Sequence, residues 1–235
     1  MDDETRAHVM DIRTHPNPKA RRSAARRLGQ ICDPETIPDL VAALSDPSFD
    51  VRSTAANALR TMRDKSAVPG LIAALEKEED SEVKIALVKA LGAMKDEKAI
   101  PALAEAMGDE SMDVQNEAKE GLLKFGARAV PVFIEALGNG KNALPWIASR
   151  ALMTLAQKHD IPLDDVGEAL NGWASDASKD EREEVRMSIG EIYRDIAAKV
   201  AERKKRLSRG GVLSEGTVKA PRKPRTYRVL RVVYG

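Results

Sequence analysis

Five stretches of this chain repeat one pattern at a spacing of about thirty residues. The second copy reads VRSTAANALRTM and the third reads VKIALVKALGAM. The copies start at Ala20, Val51, Val83, Val114 and Leu144, so successive starts lie 30 to 32 residues apart. A turn, an apolar residue followed by proline, and a second short helical pattern such as PGLIAAL come after the early copies. This period predicts stacked helical hairpins, because one hairpin alone cannot bury its apolar face.

Apolar residues in the first helix of each copy recur at the spacing of one buried helical face. Alanine and glycine fill many of these positions, so we expect neighbouring helices to approach closely. One leucine per copy should fill the remaining space: Leu28, Leu59, Leu91, Leu122 and Leu152. The proline after each turn suits the first position of a helix, where its missing N–H costs no hydrogen bond. The sequence therefore predicts an all-α fold, an α-α superhelix of five to six helical-hairpin repeats with an extended basic C-terminal tail.

Segments of different composition flank the repeats. A capping box, Ser178-x-x-Glu181, opens a long amphipathic helix near the C-terminal end. The last ten residues, TYRVLRVVYG, are rich in β-branched and aromatic residues and are typical of a strand. We divide the chain into an N-terminal capping helix (1–16), the repeats (17–172), a divergent last repeat or long capping helix (173–207), and a basic extended tail with a strand-like end (208–235).

Composition supports this class and excludes others. The 235 residues are 43% hydrophobic but only 3% aromatic, which suits an alanine- and leucine-rich helical array better than a β-sandwich or barrel. No apolar run approaches a membrane span, and MDDETRAHVM does not resemble a signal peptide. Cys32 is the single cysteine, so an internal disulfide is excluded, and it has no activating partner in the pattern. We expect a cytoplasmic protein with no membrane association.

The segment VRSTAANALRTMRDKSAVPGLIAAL resembles the HEAT repeat, in the short form also seen in phycobilisome-lyase-like proteins. The resemblance covers about residues 17–172. It implies that a basic residue after the first apolar position and an aspartate in the turn form a ladder between adjacent repeats. In the first three copies these are Arg21, Arg52 and Lys84, with Asp33, Asp64 and Asp96; later copies have Gln115, Pro145 and Ala127 instead. The loss of these residues predicts different packing where copies four and five meet.

HEAT-like families include passive scaffolds, bilin lyases, deoxyhypusine hydroxylases and a DNA glycosylase, so function must be inferred from sites. The hydroxylases need paired His-Glu dipeptides to hold iron, but none of His8, His15 and His159 is followed by glutamate. No His stands beside a nucleophile, and no glycine-rich phosphate loop is present. We predict no catalytic, cofactor-binding or metal-binding residues. The alternative is a lyase-like or hydroxylase-like enzyme of this family.

The second helices normally line the concave surface of such an array. Their positions expected to face outward are small or acidic: Asp39, Ala42, Asp46, Gly70, Ala73, Ala102, Glu105, Asp109, Val132 and Glu135. Phosphate binding requires lysine and arginine at such positions, because neutralising phosphates supplies most of the affinity. The sequence therefore argues against a concave clamp for nucleic acid.

The net charge of +1 conceals a division between the tail and the rest of the chain. Residues 199–235 contain twelve basic and two acidic side chains, which gives +10, and the other 198 residues carry −9. Such a tail could fold back on the acidic repeats or bind an external polyanion. We favour the external role, because Pro221 and Pro224 keep the segment extended. The candidate contact residues are Lys204, Lys205, Arg206, Arg209, Arg222, Lys223, Arg225, Tyr227, Arg228, Arg231 and Tyr234.

A second basic patch belongs to the first copy. Lys19, Arg22 and Arg26 lie opposite the apolar face of the helix, and Arg27 replaces the alanine or glycine of other copies. An ordinary solvated face is the other interpretation of this patch. Trp146 also falls at an outward position, as a partner contact or as a packing residue under the C-terminal region.

Together these features predict a non-enzymatic scaffold or adaptor without a cofactor. Its expected partner is a protein in a larger assembly, either an acidic protein surface or a ribonucleoprotein such as the ribosome. RNA is a candidate partner for the tail alone.

Overall fold

The computed structural model describes residues 1–138 and 144–158, and within these residues all regular structure is helical. The all-α prediction is confirmed for this part of the chain. The segments 173–207 and 208–235 lie outside the described residues. The α-helices are α1 (Asp3–Thr14), α2 (Pro18–Ile31), α3 (Ile37–Ala43), α4 (Phe49–Met62), α5 (Val68–Leu75), α6 (Ser81–Met94), α7 (Ile100–Ala106), α8 (Met112–Leu123), α9 (Val130–Gly138) and α10 (Leu144–Lys158).

The helices stack as the repeat predicts. The first helices of successive repeats, α2, α4, α6 and α8, pack against one another in order, and α10 packs on α8 and α9. Each of the second helices α3, α5 and α7 packs against the first helix of the following repeat. The predicted N-terminal capping helix is α1, which lies against both α2 and α3. The second helices α3, α5 and α7 are short, at seven or eight residues.

The turn between the two helices of a repeat is a single 3-10 turn. Asp33, Asp64 and Asp96 each accept a hydrogen bond from the backbone N–H two residues later, at 2.9, 2.8 and 3.0 Å. The expectation that these aspartates join adjacent repeats is therefore wrong. A short aspartate side chain reaches its own turn first, where it satisfies an N–H that the helix leaves unpaired. In the fourth copy, Gly126 at φ +61° makes the turn without an aspartate.

The five predicted core leucines are at most 1% exposed. The small residues between them do let the first helices approach closely. A Cβ on Gly29 would lie 2.6 Å from the Cβ of Ala58, and one on Gly92 would lie 2.8 Å from the Cα of Gly121. Both distances are shorter than normal carbon contacts, so these glycines are needed for the spacing between α2 and α4 and between α6 and α8.

Candidate functional site

Three ion pairs follow one edge of the stack. In each, a basic residue near the start of a first helix reaches a carboxylate that ends the same repeat, 25 or 26 residues later. The pairs are Arg21 with Asp46 (2.7 and 2.8 Å), Arg52 with Glu78 (2.8 and 2.9 Å) and Lys84 with Asp109 (2.6 Å). The two arginine pairs are bidentate, a geometry that fixes both side chains.

The two arginines also bind the backbone that precedes their helix. The Nη1 of Arg52 donates to the carbonyl oxygens of Asp46 and Pro47, at 2.9 and 3.3 Å. Gln115 keeps this backbone bond in the fourth copy, where its Nε2 donates to the Asp109 oxygen at 2.6 Å. The basic half of the predicted ladder is therefore confirmed for Arg52, which joins its repeat to the preceding one, whereas the side chain of Lys84 bonds within its own repeat. The sequence reasoning missed the carboxylate partners, although their recurrence 25 or 26 residues after each basic residue was a usable signal.

The ion pairs hold their carboxylates in the charged form. Burial alone would raise the pKa of Glu78, but hydrogen bonds from Arg52 and from the Asp80 N–H outweigh it and lower that pKa below 4.5. Burial would also raise the pKa of Asp46. Hydrogen bonds from Arg21 and from the Ser48 N–H outweigh this effect and lower the pKa below 3.8. Both carboxylates are therefore ionised at neutral pH.

An open furrow lies between α3 and α5, toward the edge that carries the ion pairs. Its volume is about 770 Å³, and its lining includes the small residues Gly70, Ala73 and Ala74. Glu78, Glu79 and Asp80 form part of its wall. At the start of α5, a Cβ on Gly70 would lie 2.5 Å from Cγ1 of Val41, so the helices touch there. The contact of Val41 with Gly70 therefore closes one end of the furrow, which extends from there to the C-terminal ends of α3 and α5.

A smaller furrow of about 170 Å³ follows between α5 and α7. Ala102 and Ala106 line it together with Glu76, Glu105 and Asp109. Glu78 lines both spaces, so they adjoin. We call the two spaces together the acidic furrow.

The prediction of the second-helix surface is correct in part. Ala42, Ala73 and Glu105 are exposed, and the surface is small-residued and acidic. The third residue of these helices was placed wrongly, because Asp39, Ala102 and Val132 are each 8% exposed. This position faces the preceding element: Asp39 pairs with Arg13 of α1, and Gly70 meets Val41 of α3.

The predicted basic patch of the first copy is exposed on α2. Lys19, Arg22, Arg26 and Arg27 all face solvent. The Nη1 of Arg22 lies 3.5 Å from Oδ1 of Asp50 in the next repeat, and Arg27 donates to Gln30 at 3.4 Å. The patch is therefore partly engaged with its own neighbours, and its role in binding stays a prediction.

Trp146 takes the outward position that its alignment predicts. It is 41% exposed. The guanidinium of Arg150 lies 4.9 Å from the centre of its ring, in cation–π contact. One face of the indole is therefore covered by its own helix.

His15 and Cys32 have side chains that could bind a metal or act as a nucleophile, and both make local contacts within the chain. Nδ1 of His15 accepts a hydrogen bond from the Asn17 N–H at 3.1 Å, and Sγ of Cys32 lies 3.0 Å from the Gly29 oxygen. Within residues 1–138 and 144–158, no three His, Cys, Asp or Glu side chains are grouped as metal ligands. His159 and the predicted contact residues of the tail, Lys204 to Tyr234, lie outside the described residues.

The stacked hairpins define the class as an α-helical repeat protein. The family profile for HEAT repeats matches residues 7–84 and 68–156. The chain belongs to the HEAT-repeat family. HEAT-repeat arrays present extended surfaces, and this fold supports a protein-binding role. Within the described part of the chain, no helix combines the length and apolar character needed to cross a membrane.

A search of the curated proteins finds no match. Among solved structures, an engineered protein is similar at 18% identity over 84% of this chain and 98% of its own, with a TM-score of 0.50. A designed armadillo repeat protein in complex with the peptide (KR)4 has 19% identity over 83% and 99%, with a TM-score of 0.49. The CpcE–CpcF complex of phycocyanin lyase from Nostoc sp. PCC7120 has 20% identity over 82% of both chains, with a TM-score of 0.47. These likenesses concern the fold.

Proposed function

We propose that this chain is a non-enzymatic HEAT-repeat adaptor. It binds a segment of a partner protein along the acidic furrow and docks through its basic C-terminal region on a larger assembly. The observation that carries the proposal is the furrow itself, about 770 Å³ between α3 and α5 and continued between α5 and α7. It is open along the edge of the stack, so a chain segment can enter it from the side.

The chemistry of the furrow supports binding over catalysis. Arg52 and Lys84 are engaged in ion pairs of 2.6 to 2.9 Å. The pKa of Glu78 is lowered by its hydrogen bonds despite its burial, so this carboxylate does not hold a proton near neutral pH. A general acid or base needs a pKa close to the working pH, and a lowered carboxylate pKa is the opposite adjustment. These side chains are suited to holding the walls of the furrow in place.

The charge division supports a separate role for the C-terminal region. Residues 199–235 carry +10, from twelve basic and two acidic side chains. A polyanion would bind such a region with strong salt dependence, because each neutralised charge releases a counterion. We propose an acidic protein surface or a ribonucleoprotein such as the ribosome as the assembly. Carboxylates in the acidic furrow repel phosphates, so the furrow and the basic C-terminal region serve different partners.

An affinity pulldown tests the role of the C-terminal region. The full chain is compared with a chain ending at Leu207, at low and high salt and with and without nuclease. We expect the shortened chain to lose the assembly while its circular dichroism keeps nearly the same helix content. Loss on nuclease treatment would identify RNA as the bound component. Unchanged association after shortening would contradict the proposal and make Lys19, Arg22 and Arg26 the better candidates.

A steric substitution tests the furrow separately. Ala73 lines the furrow and is exposed, so Ala73→Trp fills the space with little effect on the core. Ala7→Trp, on the exposed face of α1, is the matched control. We expect the partner recovered with the full chain to be lost with Ala73→Trp and retained with Ala7→Trp. Equal recovery with both variants would show that no partner uses the furrow.

A further inference from the structure

The acidic furrow crosses three second helices. Its two parts adjoin at Glu78, one between α3 and α5 and the other between α5 and α7. The small side chains of Ala73 and Ala74 allow the backbone of a bound segment to approach α5. An extended segment is favoured over a helix, because its backbone can come close to these small side chains, whereas the backbone of a helix is surrounded by its own side chains.

The lining has an excess of negative charge that its own cations do not balance. Its carboxylates are Asp46, Glu76, Glu78, Glu79, Asp80, Glu105 and Asp109, and its cations are Arg52, Lys77 and Lys84. Arg52 and Lys84 are bound to Glu78 and Asp109, and Asp46 is bound to Arg21 outside the lining. Glu76, Glu79 and Glu105 are exposed at the rim, and no ion pair within the described residues involves them.

From this charge pattern we infer that the acidic furrow binds an extended, lysine- or arginine-rich segment of a partner protein. The inference rests on the proposed adaptor function and names the chemistry of the segment. Long basic side chains can reach the carboxylates at the rim while small residues of the segment face Ala73 and Ala74. Acidic segments and nucleic acid would meet carboxylates instead, and like charges brought together at an interface oppose binding.

Fluorescence anisotropy with the full chain tests the inference. The probe is a short labelled peptide of alternating lysine and alanine, and the comparison peptide has glutamate in place of lysine. We expect the lysine peptide to bind at low salt and to weaken at high salt. Any binding of the glutamate peptide should come from the basic C-terminal region and should not change when the furrow is substituted. Absence of binding by the lysine peptide at low salt would overturn the inference.

Charge reversal locates the binding. Glu79→Lys/Glu105→Lys reverses two exposed carboxylates of the furrow. The control Glu4→Lys/Glu120→Lys reverses two exposed carboxylates on α1 and α8 and changes the net charge equally. We expect the furrow variant to lose roughly tenfold or more in affinity and the control to lose less than about twofold. Equal losses would show that only net charge matters and would refute the site.

The chain's own basic region is the other possible occupant. A full-length variant with Arg222, Lys223 and Arg225 changed to glutamine distinguishes this occupant from a partner segment. The inferred external partner predicts unchanged probe affinity for this variant. Tighter probe binding would show that the chain's own segment fills the furrow, and would overturn the assignment to a partner. Association with the larger assembly is measured separately, so failure of the furrow inference leaves that part of the proposed function intact.

Discussion

Replacing Gly92 with alanine is expected to destabilise the stack where α6 meets α8. The new Cβ would lie 2.8 Å from the Cα of Gly121, whereas ordinary contact begins at 3.4 Å. The obstacle is backbone, so no side chain can rotate away. The two helices must separate by about 0.6 Å at this point. Because repeats contact only their neighbours, the strain falls on the junction of the third and fourth repeats.

The expected magnitude follows from two opposing effects. Overpacking of a closely packed core costs roughly 1–3 kcal/mol. Alanine in place of glycine within a helix returns roughly 0.5–1 kcal/mol, because glycine loses more backbone entropy on folding. The difference is roughly 0–2.5 kcal/mol, and we expect Gly92→Ala to lower the free energy of unfolding by about 1 kcal/mol. A change of this size shifts the melting temperature by roughly 2–4 °C per kcal/mol in a chain of this length.

Gly121, on the facing helix, provides the matched control. Its Cβ would meet Cδ2 of Leu103 at 3.3 Å, which is the end of a side chain and close to ordinary contact. Gly121→Ala should therefore cost less than Gly92→Ala, because the end of Leu103 has to move by only a few tenths of an ångström to accept the new methyl group. Urea unfolding followed by far-UV circular dichroism measures both variants. Equal destabilisation, or stabilisation by Gly92→Ala, would refute the close helix contact.

Three further predictions follow from the core, the ion pairs and the absence of catalytic motifs. Leu91→Ala should lower the free energy of unfolding by roughly 2–5 kcal/mol, and exposed Arg60→Ala should change it by less than about 0.5 kcal/mol; comparable losses in urea would contradict the repeat register. Arg52→Met should destabilise most near neutral pH. The pKa of Glu78 is depressed in the folded chain, so the stability that its ion pair with Arg52 contributes is present above pH 4.5 and is lost as the pH falls below that value. The bonds of Arg52 to the Asp46 and Pro47 carbonyls do not depend on pH, so a smaller deficit remains in acid. Thermal melts in which the deficit is as large in acid as at neutral pH would contradict this. Protein purified without an affinity tag should contain no stoichiometric iron, zinc or bilin, as measured by elemental analysis and absorbance, and finding any would favour the enzyme alternative.

The repeat pattern alone determined the fold class, the helix order and the core leucines. Leu28, Leu59 and Leu91 could be placed because each copy repeats the same spacing of one buried face. The exposed positions of Arg60 and Trp146 follow from the same alignment. Period and polarity are local properties of the chain, so they can be read without coordinates.

The tertiary structure decided which polar groups meet. The sequence indicated that Arg52 belongs to a ladder, but only the stacking of the helices showed that it pairs with Glu78 and with the carbonyl of Asp46. Asp64 was assigned to the same ladder, yet it caps its own turn. The sequence could not decide between these roles, because an aspartate can accept hydrogen bonds from several kinds of donor. The folded backbone determines which N–H lies nearest to it.

The acidic furrow also depends on the packing of whole helices. The sequence indicated a small and acidic second-helix surface, but it placed Asp39 and Ala102 on that surface when both are buried. Helical periodicity determines which residues share a face. It does not determine which face a neighbouring helix covers, because that depends on helix length and on the distance at which glycine and alanine let the next repeat pack.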